Sequence, residues 1–483
     1  MPGWRRIASF FLAALVAAGI LVAAPHAGAG EDSESSPDPR PNIVVIMTDD
    51  QAVESIRVMD NVAQDLAGRG VTFKRNLASY PLCCPSRITF LTGQHAHNHG
   101  VLSNTGPQGG YSAFAGRETT FPVALQNAGY RTSHVGKYAN GYGRPDPREI
   151  PPGWTKWVAF PGTNAYRYWD YKLNVNGNIK KYGTDEADYQ TDVLRRFARR
   201  RIENDAPRNE PFFLSIAPVA PHLGKNPAFP GGDLAWPAPR HSGAFASEPL
   251  PMPPSFNEDD VSDKPNFIQN SSQLSDSKIE EMTAQYRARL ESLLAVDSLV
   301  RGVVRALKDA GELDDSVILF TSDNGFFQGE HREPAGKRLH YEPSTRVPLI
   351  VRGEGVANGA TTKALVSNID LAPTILELAD ASPLTLPDGR SLIPLLASPG
   401  APWPDDVLLE AGPPGARKSY QAIRTTQYKY VEWWTGETEL YDLDADPHEL
   451  RNRSGKEQFA EIEADLAMRL AALKTCAGPA CQL

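Results

Sequence analysis

Apolar residues along this chain gather in short unbroken runs, separated by longer stretches with helical spacing. Residues 42–47 (NIVVIM) are one such run, rich in β-branched side chains, with the pattern of a strand buried on both faces of a parallel sheet. Residues 212–217 (FFLSIA), 317–321 (VILFT) and 347–351 (VPLIV) repeat the pattern, and 132–135 is a weaker example. Between them, Ile279, Met282, Tyr286, Leu290, Leu293, Leu294, Val300, Val303, Val304 and Leu307 recur at helical spacing. This spacing predicts a helix over about 277–310, stopped by Gly311. Strands alternating with helices predict an α/β fold, a mostly parallel sheet with helices on both faces. In such sheets the chemistry sits just past the carboxyl ends of the strands.

The pattern changes after about Pro404. Residues 420–434 and 439–443 are aromatic and β-branched, and Thr435-Gly436-Glu437 between them is a hairpin signal. An amphipathic helix over about 457–473 follows. A small antiparallel sheet plus helix, packed on the main domain, is the expectation for 404–483, with the catalytic domain over 42–403. Residues 224–276, rich in Pro, Ser and Asn, predict a long surface excursion near the site. At the start, Arg5 and Arg6 precede the uncharged apolar run 7–24, and Ala27-Gly28-Ala29 is a small-x-small cleavage pattern. These features predict a secretory signal peptide over 1–29. The alternative is an uncleaved membrane anchor, but the run is near the lower limit for a span. The polar, Pro-rich segment 30–41 predicts a disordered leader. A secreted protein without a stable membrane anchor is expected.

Composition then removes function classes. The 483 residues carry a formal charge of -9, and removing 1–29 takes away two Arg, leaving 47 basic against 58 acidic residues. Nucleic-acid binding, which needs a wide basic face, is not expected. Four cysteines in this length do not make a disulfide scaffold.

Asp49-Asp50 follow the first strand, and Asp323-Asn324-Gly325 follow the strand at 317–321. Alone, either is an ordinary solvated turn. Two oxygen-rich ends in one sheet differ, because three packed carboxylates repel unless a cation lies between them. Oxygen ligands suit Ca2+ or Mg2+, and no zinc spacing of His and Cys is present. The third feature is Leu82-Cys83-Cys84-Pro85-Ser86-Arg87. Seen alone, Cys-Cys is a pair of buried thiols. In an exported chain unpaired thiols need a reason, and Pro85 can open a helix whose amides favour an anion near Cys83. His95, His97 and His99 cluster beyond it, but no Cys or carboxylate nearby completes a metal set, so they read as structural or rim residues.

The string Cys83-x-Pro85-Ser86-Arg87, followed by Thr92-Gly93, resembles the signature of the type I, formylglycine-dependent sulfatases, and the likeness runs over nearly the whole mature chain. It is most similar to the N-acetylglucosamine-6-sulfatase group. That group shows the doubled Cys-Cys-Pro-Ser-Arg, Gly-Lys-Tyr-x-Asn as at 136–140, Ala-Pro-His as at 220–222, Ser-Asp-Asn-Gly as at 322–325 and a closing Cys-x-Gly-Pro-x-Cys as at 476–481. The resemblance implies an alkaline-phosphatase-like mixed, mostly parallel sheet flanked by helices. It implies that Cys83 is converted by a formylglycine-generating enzyme to formylglycine (3-oxoalanine), whose hydrate is the nucleophile. Asp49, Asp50, Asp323 and Asn324, with residue 83 beside them, match the family's metal ligands, usually for Ca2+. Arg87 matches the residue that holds the hydrate, Lys137 and Lys337 match those that grip sulfate, and His222 matches the one that protonates the leaving oxygen. Tyr341-Glu342 follow Lys337 at the family's offset. One position departs: many members have His two residues after the Gly-Lys lysine, where this chain has Ala139, followed by Asn140 as a substitute hydrogen-bonding group.

The implied activity is hydrolysis of a sulfated sugar or aryl sulfate ester, first the 6-sulfate of N-acetylglucosamine or a related glycan. A broad arylsulfatase and a phosphonate or phosphodiester hydrolase on the same fold are the other enzyme readings. A silent carbohydrate-binding relative is a third, against which the intact Cys83, Asp49, Asp50, Asp323, Asn324 and Lys337 speak. Cys476 and Cys481 close a short loop through Gly478-Pro479, and in an exported protein a disulfide is expected rather than two free thiols.

Overall fold

The computed structural model describes residues 38–225 and 233–482. The predicted signal peptide and residues 30–37 of the predicted leader lie outside the described residues. The leader's last residues are not disordered. Arg40 pairs with Asp38 and donates 2.8 Å to the Ala128 carbonyl, and Tyr130 donates 2.9 Å to the Pro41 carbonyl. A polar composition alone did not reveal these anchors.

Ten strands form the main sheet: β1 (Asn42–Thr48), β2 (Gly70–Leu77), β3 (Arg131–Gly136), β4 (Lys156–Ala159), β5 (Lys172–Val175), β6 (Asn178–Lys181), β7 (Phe212–Ala217), β8 (Ser316–Ser322), β9 (Leu349–Arg352) and β10 (Ala360–Ser367). Their order in space is β10-β2-β9-β8-β1-β7-β3-β4-β5-β6. The centre, β8-β1-β7-β3, is parallel. Every residue of β1 and β8 is buried. Successive residues of β1 serve opposite faces: Ile43 and Val45 enter one apolar cluster, Val44 and Ile46 the other. Each such side chain contributes about 1.5–3 kcal/mol by burial. The run at 347–351 becomes β9, which is antiparallel to both β8 and β2. An apolar run buried on both faces carries no mark of strand direction, so the pattern could not show the reversal. The strands β2, β4–β6 and β10 escaped the pattern because their apolar residues are few or interrupted.

Helices cover both faces. On one, α1 (Cys83–Thr92) and α4 (Leu371–Leu378) place Ile88, Leu91, Leu371 and Ile375 in the core. On the other, α2 (Gln190–Asp205) and α3 (Asp276–Asp309) place Val193, Leu194, Val296 and Val300 there. The α3 helix starts at the Ser275 hydroxyl, which accepts from the Lys278 amide at 3.3 Å, and is followed by Gly311 at φ 79°. Within 224–276, the described part is irregular apart from short helical turns.

A second sheet holds β11 (Val407–Ala411), β12 (Tyr420–Arg424), β13 (Tyr428–Trp433) and β14 (Thr438–Asp442), antiparallel in that order. The run at 420–434 is two strands, broken where the Thr425 amide donates 2.8 Å to the Tyr428 carbonyl. The hairpin turn falls at the predicted Thr435-Gly436-Glu437. One face of this sheet carries α5 (Ala460–Leu473) through Leu466, Leu470 and Leu473. The other shares a cluster with Leu77, Tyr80 and Leu82, beside the start of α1. Cys476 and Cys481 are bonded, with Cα atoms 5.0 Å apart. His97 joins the two parts: Nδ1 lies 2.9 Å from a Glu410 carboxylate oxygen and Nε2 lies 2.9 Å from the Cys476 carbonyl. His99 Nε2 meets the Thr89 hydroxyl at 3.0 Å. His97 and His99 are therefore held by structural contacts.

Candidate active site

The register of β1 and β8 builds the centre. Thr48 stands opposite Ser322, so the next residues, Asp49 and Asp323, leave the sheet side by side. Asp50 turns back at φ 64°, a left-handed conformation that costs a non-glycine residue about 1–2 kcal/mol. Its amide donates 3.1 Å to Asp323 Oδ1, and the Asn324 side-chain amide donates 2.7 Å to Asp50 Oδ1. Arg289, reaching up from α3, donates 2.5 Å to the Asp50 carbonyl and 3.0 Å to that of Pro221, beside His222.

Cys83 is the first residue of α1, after an extended Leu82. The following amide, that of Cys84, donates 2.9 Å to Asn104 Oδ1. Cys83 Sγ lies 3.5 Å from Asp49 Oδ1, 3.9 Å from Asp50 Oδ1 and 3.1 Å from Lys337 Nζ. One helical turn later, Arg87 donates 2.8 Å to Asp323 Oδ2 and 2.9 Å to the Lys137 carbonyl. Lys137, just past β3, is ion-paired with Asp49, and Lys337 with Asp50. His222, past β7, places Nε2 3.4 Å from Asp50 Oδ2. Thus nine of the residues singled out in the sequence converge: Asp49, Asp50, Cys83, Arg87, Lys137, His222, Asp323, Asn324 and Lys337. Asn140 stands one step back and donates 3.0 Å to the Tyr166 hydroxyl.

Tyr166, Arg289 and Asn104 were not anticipated. The Tyr166 ring lies 4.6 Å from that of His222, with Lys137 Nζ 5.0 Å from its centroid. Nothing local marks Tyr166 or Asn104. Arg289 had a legible sign: it interrupts the apolar stripe Met282, Tyr286, Leu290, Leu293 of α3, where a charge has no business unless it meets a partner in the core.

The electrostatics follow from burial. Burial opposes the charge on Asp49, but Lys137, then His222, Arg87 and Lys337, outweigh it and hold the carboxyl well below the usual range. Asp50 is held down against burial by His222 and Lys337. Asp323 goes the other way, pushed up to about 6 by burial and by Asp49. Burial pushes the Cys83 thiol up to about 12 despite both lysines, so at neutral pH it is a thiol and not a thiolate nucleophile. Burial pushes His222 down. Yet its Nδ1 faces the Leu223 carbonyl and its Nε2 faces Asp50, two acceptors that only the imidazolium satisfies together.

A cation fits this donor set. Asp49, Asp50, Cys83 and His222 offer ligand atoms within 4.8 Å of one another, and Asp323 joins through the Asp50 amide. The Asn324 side-chain oxygen is buried without a hydrogen-bond partner among the described residues. Carboxylate and amide oxygens suit a hard divalent ion. A second group, His95 with Cys476 and Cys481, offers no thiolate because both cysteines are in the disulfide.

Known proteins share this architecture. The sequence profile described as sulfatase matches residues 41–381, and one described as N-sulphoglucosamine sulphohydrolase, C-terminal, matches 329–476. An N-acetylglucosamine-6-sulfatase of Capra hircus is 33% identical over 490 residues, which cover 92% of this chain and 85% of the relative. An arylsulfatase of Volvox carteri is 32% identical, over 92% of this chain and 76% of its own. A solved structure, described as a complex with its substrate D-glucosamine-2-N,6-O-disulfate, has a TM-score of 0.76 and 27% identity, over 89% of this chain and 97% of that one. Since the sulfatase profile spans every element that carries the buried carboxylates, the lysines and Cys83, the chain belongs to the sulfatase family, hydrolases of sulfuric esters.

Proposed function

We propose that the protein is a secreted sulfatase that removes the 6-sulfate of N-acetylglucosamine or of a related sulfated glycan. In this reading Cys83 is converted to formylglycine by a formylglycine-generating enzyme, and Asp49, Asp50, Asp323 and Asn324 hold Ca2+, or Mg2+. The observation that carries it is Cys83 itself. It sits at the first turn of a helix between two carboxylates and Lys337, in a place where burial keeps its thiol protonated. A cysteine there is a poor nucleophile, and an oxidised residue 83 is not. The relative's name supports the 6-sulfate, and the N-terminal pattern supports export.

Formylglycine supplies a hydrated aldehyde as nucleophile, and a bound cation adds positive charge for an anionic ester. The chain's own residues do the rest. Lys137 and Lys337 stay charged and offer ammonium hydrogens to sulfate oxygens. Arg87 fixes the Asp323 carboxylate and the Lys137 backbone, so the lysine and the helix start keep one geometry. His222 holds a proton at Nε2 for the departing sugar oxygen, and the Tyr166 ring limits its rotation. Asn140 acts through Tyr166 as a positioning residue.

The test is the mass of the peptide containing residue 83. Co-expressed with a formylglycine-generating enzyme, it should be about 18 Da lighter than the thiol form. Cys83→Ala should abolish turnover of N-acetylglucosamine 6-sulfate. An unmodified Cys83 enzyme with full activity refutes the reading. Good activity on 4-nitrophenyl sulfate with none on any sulfated amino sugar moves the protein to the arylsulfatase alternative.

A further inference from the structure

The C-terminal sheet carries a cavity of about 390 Å³ that the proposed chemistry does not use. Four aromatic residues border it: Tyr80, Tyr420 and Trp433 are buried in the core behind it, with the Tyr420 and Trp433 rings 5.1 Å apart, and Trp434 alone is open to solvent. Trp434 is 62% exposed, the one large aromatic side chain among the described residues left so open to solvent. An open indole offers a large flat apolar face and one N–H donor to a ligand.

The polar groups around the cavity are balanced in charge. Glu410 is paired with His97, and Glu432 with Lys474. An anionic ligand gains no net attraction there, whereas a neutral polyol finds carboxylate acceptors and an ammonium donor beside the one open indole, that of Trp434. A volume near the lower end for small-ligand sites suits one or two sugar rings. Two wall residues also come from the segments that build the catalytic centre. Tyr80 lies on the stretch leading into Cys83, and Leu102 on the loop whose Asn104 accepts from the Cys84 amide at 2.9 Å. The Tyr80 hydroxyl is hydrogen-bonded to the Leu102 carbonyl, which ties the two stretches together at the cavity wall.

We propose that this cavity is a saccharide subsite. It takes an uncharged N-acetylhexosamine unit of the same glycan that presents the scissile sulfate, with the C–H face of its ring on Trp434 and its hydroxyls on Glu432 and Lys474. The inference rests on the reading of the enzyme as a glucosamine-type sulfatase. It adds that the chain recognises sugars beyond the sulfated one, and that its C-terminal sheet does so.

Trp434→Ala and Glu432→Gln test it, because Trp434 is exposed and contributes little to the core. Two substrates are compared: N-acetylglucosamine 6-sulfate, and chitotriose sulfated at O6 of its terminal sugar. Trp434→Ala should lower kcat/KM on the trisaccharide about tenfold, as loss of an aromatic stacking contact implies, and leave the monosaccharide unchanged. Glu432→Gln should give a smaller loss of the same pattern. Equal losses on both substrates, or none on the trisaccharide, overturn the subsite. Titration calorimetry with unsulfated chitotetraose separates this from the catalytic reading. Wild type inactive on both esters defeats the substrate assignment. The subsite then stands if chitotetraose binds wild type and not Trp434→Ala, and falls if it binds neither. A dimer that Trp434→Ala dissociates, without chitotetraose binding, shows that Trp434 faces a second copy and overturns the proposal.

Discussion

Arg289 offers a sharp test of how the site is held. It is 4% exposed on α3, and its guanidinium reaches three loops at once: the Asp50 carbonyl, the Pro221 carbonyl and the Phe326 ring, whose centroid is 4.0 Å away. These loops follow β1, β7 and β8. In Arg289→Met, two charge-assisted hydrogen bonds of about 1.5–3 kcal/mol each are lost. A desolvated cation–π contact of about 2 kcal/mol goes with them. Against this, burial disfavours the charge, and among the described residues no carboxylate pairs with it directly. Removing it therefore returns an effective desolvation cost of several kcal/mol. The balance is a loss of about 2–4 kcal/mol in unfolding free energy. Asp50 and His222 would also lose their shared anchor, and displacement of this kind costs about a hundredfold in rate. Urea unfolding and steady-state kinetics on N-acetylglucosamine 6-sulfate measure the two effects. Arg289→Lys, which can reach one carbonyl but not both, should recover part of kcat. A methionine variant that keeps its stability within about 0.5 kcal/mol and its full kcat/KM would sink the reasoning.

Four further outcomes are expected. Arg87→Ala should cost about 3–5 kcal/mol, because it strands the buried Asp323 carboxylate, and Arg87→Lys should recover only part of it, since one ammonium can meet the carboxylate but not also the Lys137 carbonyl; thermal melts decide. Chelation should abolish activity and lower the unfolding midpoint, Ca2+ or Mg2+ should restore both, and full activity with zinc alone contradicts the oxygen-ligand site. His222→Ala should reduce activity on N-acetylglucosamine 6-sulfate far more than on 4-nitrophenyl sulfate, because an alkoxide needs a proton more than a phenolate does; equal losses remove His222 from the acid role. Burial opposes the charge on His97, but Glu410, then the Cys476 carbonyl and, more weakly, Asp388 raise its pKa to about 9 from the ordinary 6.5. Its stabilisation is complete below pH 6.5 and is lost as pH rises through about 9, so the unfolding midpoint should fall across that window, and His97→Asn should flatten the fall.

The chemistry was more legible in the sequence than the topology. Asp49-Asp50 and Asp323-Asn324 are visible because they stop apolar runs abruptly, and the parallel register then makes them neighbours. Cys83 and Arg87 are one helical turn apart, so their shared face follows from sequence alone. What stayed hidden was set by tertiary contact. The reversal of β9 leaves no trace in a doubly buried run, and β11 is too short to stand out before the sheet forms. His97 lacked a visible partner because Glu410 is hundreds of positions away. Tyr166 was hidden in an aromatic-rich loop, where its neighbours Tyr168 and Trp169 serve the core.

The charges around Cys83 explain how an acidic protein can bind an anion. Asp49, Asp50 and Asp323 are each paired with a cation, Lys137, Lys337 and Arg87 in turn, and the buried Arg289 guanidinium adds a further positive charge beside Asp50, so this centre is not acidic even though the chain as a whole is at -9. Arg87 is committed to Asp323 and to a backbone carbonyl, and has little freedom to turn toward a ligand. The lysines differ: each holds a single carboxylate through one flexible ammonium with three donors. Sulfate can therefore draw on Lys137 and Lys337 without breaking the framework, provided Asp49 and Asp50 keep another positive partner. Asp49→Asn isolates this balance: it should weaken cation binding while leaving Lys137 freer for anions. Titration calorimetry of inorganic sulfate and Ca2+ against that variant should show the two affinities moving in opposite directions. Parallel losses would mean that Lys137 is structural and that the anion is held elsewhere.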